Sequence, residues 1–177
     1  MTAGLVIVVH GSERNRHVAS MLQHEGLDTR VLDLPDSDVD AIADGIVAAT
    51  DEIALASPDL PIGYFASGRG AAAALIAAAR RPDAIAAVVS RCGRPDLSGA
   101  SLAAVRAPTL MIVGGGDKLV VRANREAAAR MLAPNQVSII LGASNQFAEP
   151  GTLDEVARLA ASWFLDHFTP VHAAQAS

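Results

Sequence analysis

Six short apolar runs interleaved with helical patterns constrain this chain more than any other feature. The runs are Leu5–Val9, Thr29–Leu32, Ile62–Phe65, Ile85–Val89, Thr109–Val113 and Val137–Ile140. Within each run hydrophobicity is continuous rather than alternating. A strand of that kind is buried on both faces, which calls for a parallel sheet covered by helices. The patterns between the runs supply the helices: Arg14–Glu25, Val39–Leu55 with Ser37 as its cap, Arg69–Arg80, Val120–Leu132 and Leu153–Phe168. The fourth run leads instead into Ser90-Arg91-Cys92-Gly93-Arg94-Pro95. Repeated β/α units predict a doubly wound, three-layer α/β/α domain with an all-parallel six-stranded sheet. No linker, repeat or low-complexity run divides residues 1–168, read as a single domain, and Thr169–Ser177 reads as a flexible tail.

Composition bounds the function classes. A chain of 177 residues that is 51% hydrophobic and 19% charged buries a real core and is not disordered. Aromatics make up only 3%, so that core is built from Ala, Val, Leu and Ile, and a large aromatic-anchored interface is disfavoured. The net charge of -5 gives no electrostatic case for nucleic acid or an anionic membrane. A single cysteine excludes an internal disulfide and a Cys-rich metal site, and suits a reducing cytoplasm. The apolar start Leu5–Val9 has no basic flank and is too short to span a bilayer. A cytoplasmic domain is expected, with no metal, no cofactor and no nucleic-acid partner.

In a sheet of this type ligands bind beyond the carboxyl ends of the strands. Chemistry is therefore sought in His10-Gly11-Ser12, Asp33, Ala66–Gly70, Arg91–Arg94, Gly114–Asp117 and Ala143–Phe147. The third turn is the most telling. Ile62–Phe65, a turn of small residues and an alanine-rich helix make the layout of a nucleophile elbow, in which G-x-S-x-G lifts a serine above the sheet. Here those five positions read Ala66-Ser67-Gly68-Arg69-Gly70. Glycine occupies the apex and the serine comes one residue early. An acyl-transfer site also needs an acid after a late strand and a histidine after the last. Asp117 stands at the acid's place, while the last loop, Gly142–Gly151, holds no histidine.

With these segments the chain resembles the dienelactone-hydrolase-like branch of the α/β-hydrolase superfamily, in a short form lacking the first strands. The resemblance is carried by His10-Gly11-Ser12, by Pro61–Phe65 with its alanine-rich helix, and by Ser90-Arg91-x-Gly93-Arg94-Pro95-Asp96-Leu97. Ala107-Pro108-Thr109-Leu110 through Asp117, and Phe147-x-Glu149-Pro150-Gly151, complete it, so that it covers most of Leu5 to Phe168. It implies a sheet order of 2-1-3-4-5-6, a nucleophile at the position of Gly68, an acid at Asp117 and a histidine at the position of Asn145. Two of these three positions depart from the family pattern. Glycine has no nucleophile, and an amide neither accepts nor returns a proton near neutral pH. The implied oxyanion donors are the N–H of Arg69 and one from Gly11 or Ser12.

Three readings follow. In the first the protein is a pseudoenzyme that binds a small molecule without turnover. Arg14, Arg16, Arg69, Arg91 and Arg94 all fall at the expected carboxyl edge, beside helix N-termini, and suit a carboxylate or phosphate. In the second it is a working ester or lactone hydrolase that uses Ser67 or another group. Cys92 and His10 lie at the same edge, but a lone cysteine commonly packs, and a histidine in such a turn commonly bonds the nearby backbone. In the third it is a structural or homodimerising protein. Asp117 has a structural role open to it as well, as the cap for Leu119 or Val120 of the following helix.

Overall fold

A computed structural model describes residues 1–168, and the expected tail 169–177 lies outside the described residues. The elements are β1 (Leu5–Val9), α1 (Glu13–His24), β2 (Asp28–Leu32), α2 (Val39–Ala56), β3 (Ile62–Ser67) and α3 (Gly68–Arg80). They continue as β4 (Ile85–Gly93), a 3-10 stretch (Pro95–Ala104), β5 (Thr109–Gly114), α4 (Lys118–Arg130), β6 (Asn135–Ile140) and α5 (Thr152–His167). The six strands form one sheet in the order β2-β1-β3-β4-β5-β6, with every neighbouring pair parallel. The winding direction reverses between β1 and β3, and this reversal opens a crevice at the carboxyl edge.

Continuous hydrophobicity serves two cores. Along β1, Val6 and Val8 join the core beneath α1 and α5, while Ile7 and Val9 join the one beneath α2, α3 and α4. The same alternation recurs in β3, where Phe65 faces the first core and Tyr64 and Ala66 the second. Successive side chains of a strand point to opposite faces, so a strand covered on both sides is apolar at every position. Helix α3 crosses the middle of the sheet with Gly70 through Ala78 all buried. Its alanines allow the backbone to approach the strands closely, which larger side chains would prevent.

Local chemistry moved some boundaries. Asp38, not Ser37, caps α2, because its carboxylate accepts from Ala41 N at 2.8 Å. Asp38 stands directly before the first helical residue, the place from which a side chain reaches the third helical N–H; Ser37 is one residue too early. Strand β4 extends past Val89 to Gly93, since pairing with β3 and β5 continues through Arg91. The segment after it winds into the 3-10 stretch, broken at Gly99 where φ is 53°. Among the described residues no helix is long and apolar enough to cross a membrane.

One buried polar pair is worth a measurement. Thr50 Oγ1 lies 2.6 Å from the Tyr64 hydroxyl and 2.8 Å from Ile46 O, beneath α2. Burial pushes the Tyr64 phenol well above its ordinary range, so it stays neutral. Thr50→Val preserves volume but orphans the Tyr64 hydroxyl, at a cost of about 1–3 kcal/mol. Thermal unfolding of Thr50→Val is expected to fall by several degrees, with much of the loss recovered when Tyr64→Phe is added. A Thr50→Val chain that melts like the wild type would contradict this.

Candidate ligand site at the elbow

Strand β3 ends at Ser67 and α3 begins at Gly68 with no residue between them. The chain turns so sharply because Gly68 adopts φ 56°, a left-handed conformation that glycine takes without strain. A Cβ built on Gly68 would meet no atom within 4 Å, so the apex is open space. Arg94 N donates to Gly68 O at 3.0 Å and ties the end of β4 to the apex.

The acid and histidine positions of the resemblance meet on the same edge. Asp117 caps α4: its Oδ1 accepts from Leu119 N and Val120 N, each at 3.1 Å. Its Oδ2 accepts from Asn145 Nδ2 at 2.5 Å. The capping bond from Val120, then the Asn145 amide, hold its carboxyl below the usual carboxylate range. Asp117 thus plays its structural role and orients the residue at the histidine position. The loop carrying Asn145 is braced by Glu149, whose Oε1 accepts from Ser144 N at 2.9 Å. It also lies hard against β5, where a Cβ on Gly114 would come within 2.5 Å of Ser144 O. Asn145 Oδ1 accepts from the Cys92 thiol at 3.5 Å. Burial pushes that thiol up, so it is a weak donor rather than a thiolate.

A cavity of about 390 Å³ lies between these groups. Ser67, Gly68, Arg91, Cys92 and Asn145 line it, with Ser12 and Arg14 from the start of α1 and Arg94 on the β4 side. Arg91 is only 6% exposed although it carries a charge. Its Nη2 donates to Asn15 Oδ1 at 3.0 Å, its guanidinium lies 5.9 Å from the Phe147 ring centre, and its buried Nε has no partner among the described residues. Desolvation lowers its pKa, and Arg14 nearby adds to that effect.

Asn15 is a hub that sequence reading did not single out. It is fully buried, and its amide donates to Val9 O, His10 O and Ser67 Oγ while its carbonyl serves Arg91. The one signal available was its spacing with Val18, Ala19 and Leu22, which puts an amide on the apolar stripe of α1. Asn124, equally buried in α4, donates to Gly93 O at 3.3 Å and steadies the end of β4.

Not all of the expected groups reach the cavity. Arg16 pairs with Asp33 at 2.8 Å, and Arg69 turns outward to Asp36 and Ser37 O. Both are exposed, because acidic neighbours beyond the crevice compete for them. Arg94 lines the cavity but is held by Asp96 at 2.8 Å. Gly11 N donates to Asp33 Oδ1 at 2.7 Å, which leaves it no free N–H for an oxyanion. Ser12 caps α1 through Asn15 N at 3.2 Å. His10, at φ 64°, packs its ring over the start of α3, where a Cβ on Gly70 would fall 3.1 Å from its Cδ2. Among the described residues no three His, Cys, Asp or Glu side chains cluster so as to hold a metal ion.

No family model matches the chain. It is 43% identical over 183 residues to a Mycobacterium tuberculosis protein named "Putative phosphoribosyl transferase", a match that takes in 93% of this chain and 41% of that protein. The chain therefore spans well under half the length of that curated relative. Its structure superposes on a dienelactone hydrolase from Anabaena variabilis with a TM-score of 0.86 at 40% identity, covering 94% of this chain and 87% of the other. An esterase, Est1E from Butyrivibrio proteoclasticus, shares the fold with a TM-score of 0.79 at 16% identity, over 94% of this chain and 88% of that one. Sheet order, elbow, the site of Asp117 and this extent of identity lead to one conclusion: the chain belongs to the dienelactone-hydrolase-like branch of the α/β-hydrolase superfamily.

Proposed function

We propose that this protein binds a small anionic molecule at its elbow and does not hydrolyse it. The observation that carries the reading is the Asn145 amide bonded to Asp117 in the cavity whose apex is Gly68. In a triad the acid orients an imidazole that takes a proton from the nucleophile. Here the orienting bond is kept, but the group oriented is an amide and the apex carries no side chain. Neither has chemistry to offer at neutral pH. Ser67 does not replace the nucleophile: its hydroxyl accepts from Asn15 at 3.3 Å, and among the described residues no histidine bonds to it. Cys92 is held as a thiol and its neighbour is again the Asn145 amide. The remaining assets of the site are those of a binder, a partly open cleft and positive charge.

The wild-type chain is expected to show no saturable turnover of p-nitrophenyl acetate and no stoichiometric labelling by a fluorophosphonate probe. Mass spectrometry of the probed protein checks this directly. Covalent labelling of Ser67 or Cys92, or turnover that saturates with substrate, would end the proposal.

A further inference from the structure

We infer that the cavity at the elbow is a phosphoryl-binding site with Arg91 as its buried anchor, an assignment that rests on reading the cavity as a binding site. Arg91 is the first observation. A guanidinium that is 6% exposed, with no acidic partner among the described residues and a buried Nε without any partner, is an expensive feature to keep. A bound anion would offset that cost. The second observation is the charge of the walls: the ten lining residues include Arg14, Arg91 and Arg94 and no Asp or Glu. Of the three, Arg94 is engaged by Asp96, whereas Arg14 and Arg91 have no ion pair among the described residues.

The third observation is the start of α3, a helix of 13 residues that opens into the same cavity. Its cap residue, Ser67, makes no side-chain capping bond, so the N–H groups of Arg69 and Gly70 keep their capacity to donate, while Gly68 is paired with Gly93 at the end of β4. The open space over Gly68 gives an anion access to that backbone, which a nucleophile's side chain would otherwise obstruct. Donors therefore approach from three sides: Arg91 from the end of β4, Arg14 from the start of α1, and the amides of α3. A carboxylate offers two oxygens in one plane and a single charge. A phosphoryl group offers three peripheral oxygens and close to two charges, which matches donors arranged around a point.

Calorimetric titration of the full chain with phenyl phosphate, inorganic phosphate and benzoate tests the assignment, since the first and last share a ring and differ in the anion. Phenyl phosphate is expected to bind at one site per chain, roughly tenfold or more tighter than benzoate, with inorganic phosphate competing. Arg91→Met is expected to weaken phenyl phosphate by roughly tenfold or more, the loss typical of a charge-assisted contact. Should that variant misfold, Arg14→Gln, at a half-buried position with no side-chain partner among the described residues, is expected to weaken it about threefold or more. Location is read from Cys92, the only cysteine: phosphate at constant ionic strength should slow its alkylation by iodoacetamide. Equal binding of benzoate and phenyl phosphate, affinity unchanged in both variants, or no protection of Cys92 would each overturn the phosphoryl assignment. Benzoate binding alone would do so while sparing the non-hydrolytic reading. Turnover of p-nitrophenyl acetate by the wild type would instead strike that reading and leave the anion measurements to stand on their own.

Discussion

Gly68→Ser combined with Asn145→His is expected to raise ester hydrolysis by roughly 10²–10⁴-fold over the wild-type chain, the range that a positioned general base contributes. The room exists, since a Cβ at position 68 meets nothing within 4 Å. The acid is in place, already bonded to the side chain at position 145. The lower end of the range is favoured because the N–H of Gly11 is spent on Asp33, leaving Ser12 as the one candidate donor from that turn to join Arg69. Neither single substitution should gain appreciably, because a nucleophile without its base, or the reverse, recovers little. Serine at φ 56° costs about 1–3 kcal/mol of backbone strain, so the variant should also melt somewhat lower. The check is p-nitrophenyl acetate turnover with fluorophosphonate labelling at position 68. A folded double variant that remains unlabelled and inert would show that positions 68, 117 and 145 do not form a triad frame.

Asn15→Ala is expected to destabilise the protein by about 2–4 kcal/mol, because it leaves a buried charge and buried carbonyls without their hydrogen-bond partner. For a chain of this size that is a fall in melting temperature on the order of 10 °C. The substitution strips Arg91 of its hydrogen bond and removes the fully buried donor to the carbonyls of Val9 and His10. The loss should shrink when Arg91→Met is introduced together with it, because the stranded charge is then gone. Urea unfolding of the two single variants and the double variant closes the cycle. A loss under about 1 kcal/mol for Asn15→Ala, or strict additivity in the cycle, would mean that Asn15 and Arg91 are not energetically coupled.

The two Asn residues and the five arginines show where sequence reading stops. The sequence alone puts Gly68, Asp117 and Asn145 on one edge, because in a parallel β/α sheet every turn that follows a strand falls on the same side. Which arginines enter the cavity was not readable. Arg16 and Arg69 are drawn off by Asp33 and Asp36, while Arg91 is held inward by Asn15, 76 residues away in the chain. Asn15 escaped notice because an amide on a helix looks like any other polar residue until its surroundings are known.

Continuous apolar runs were enough to establish the class of sheet, and the order of the turns put Gly68, Asp117 and Asn145 on one edge of it. Periodicity and backbone sterics are local, so they survive in the order of residues alone. The bond from Asn145 to Asp117, the sealing of Gly11 by Asp33 and the burial of Arg91 with no ion pair among the described residues belong to the tertiary structure. Each joins residues at least 22 positions apart or depends on what surrounds a side chain, and such contacts arise only when the packed layers bring separate turns together.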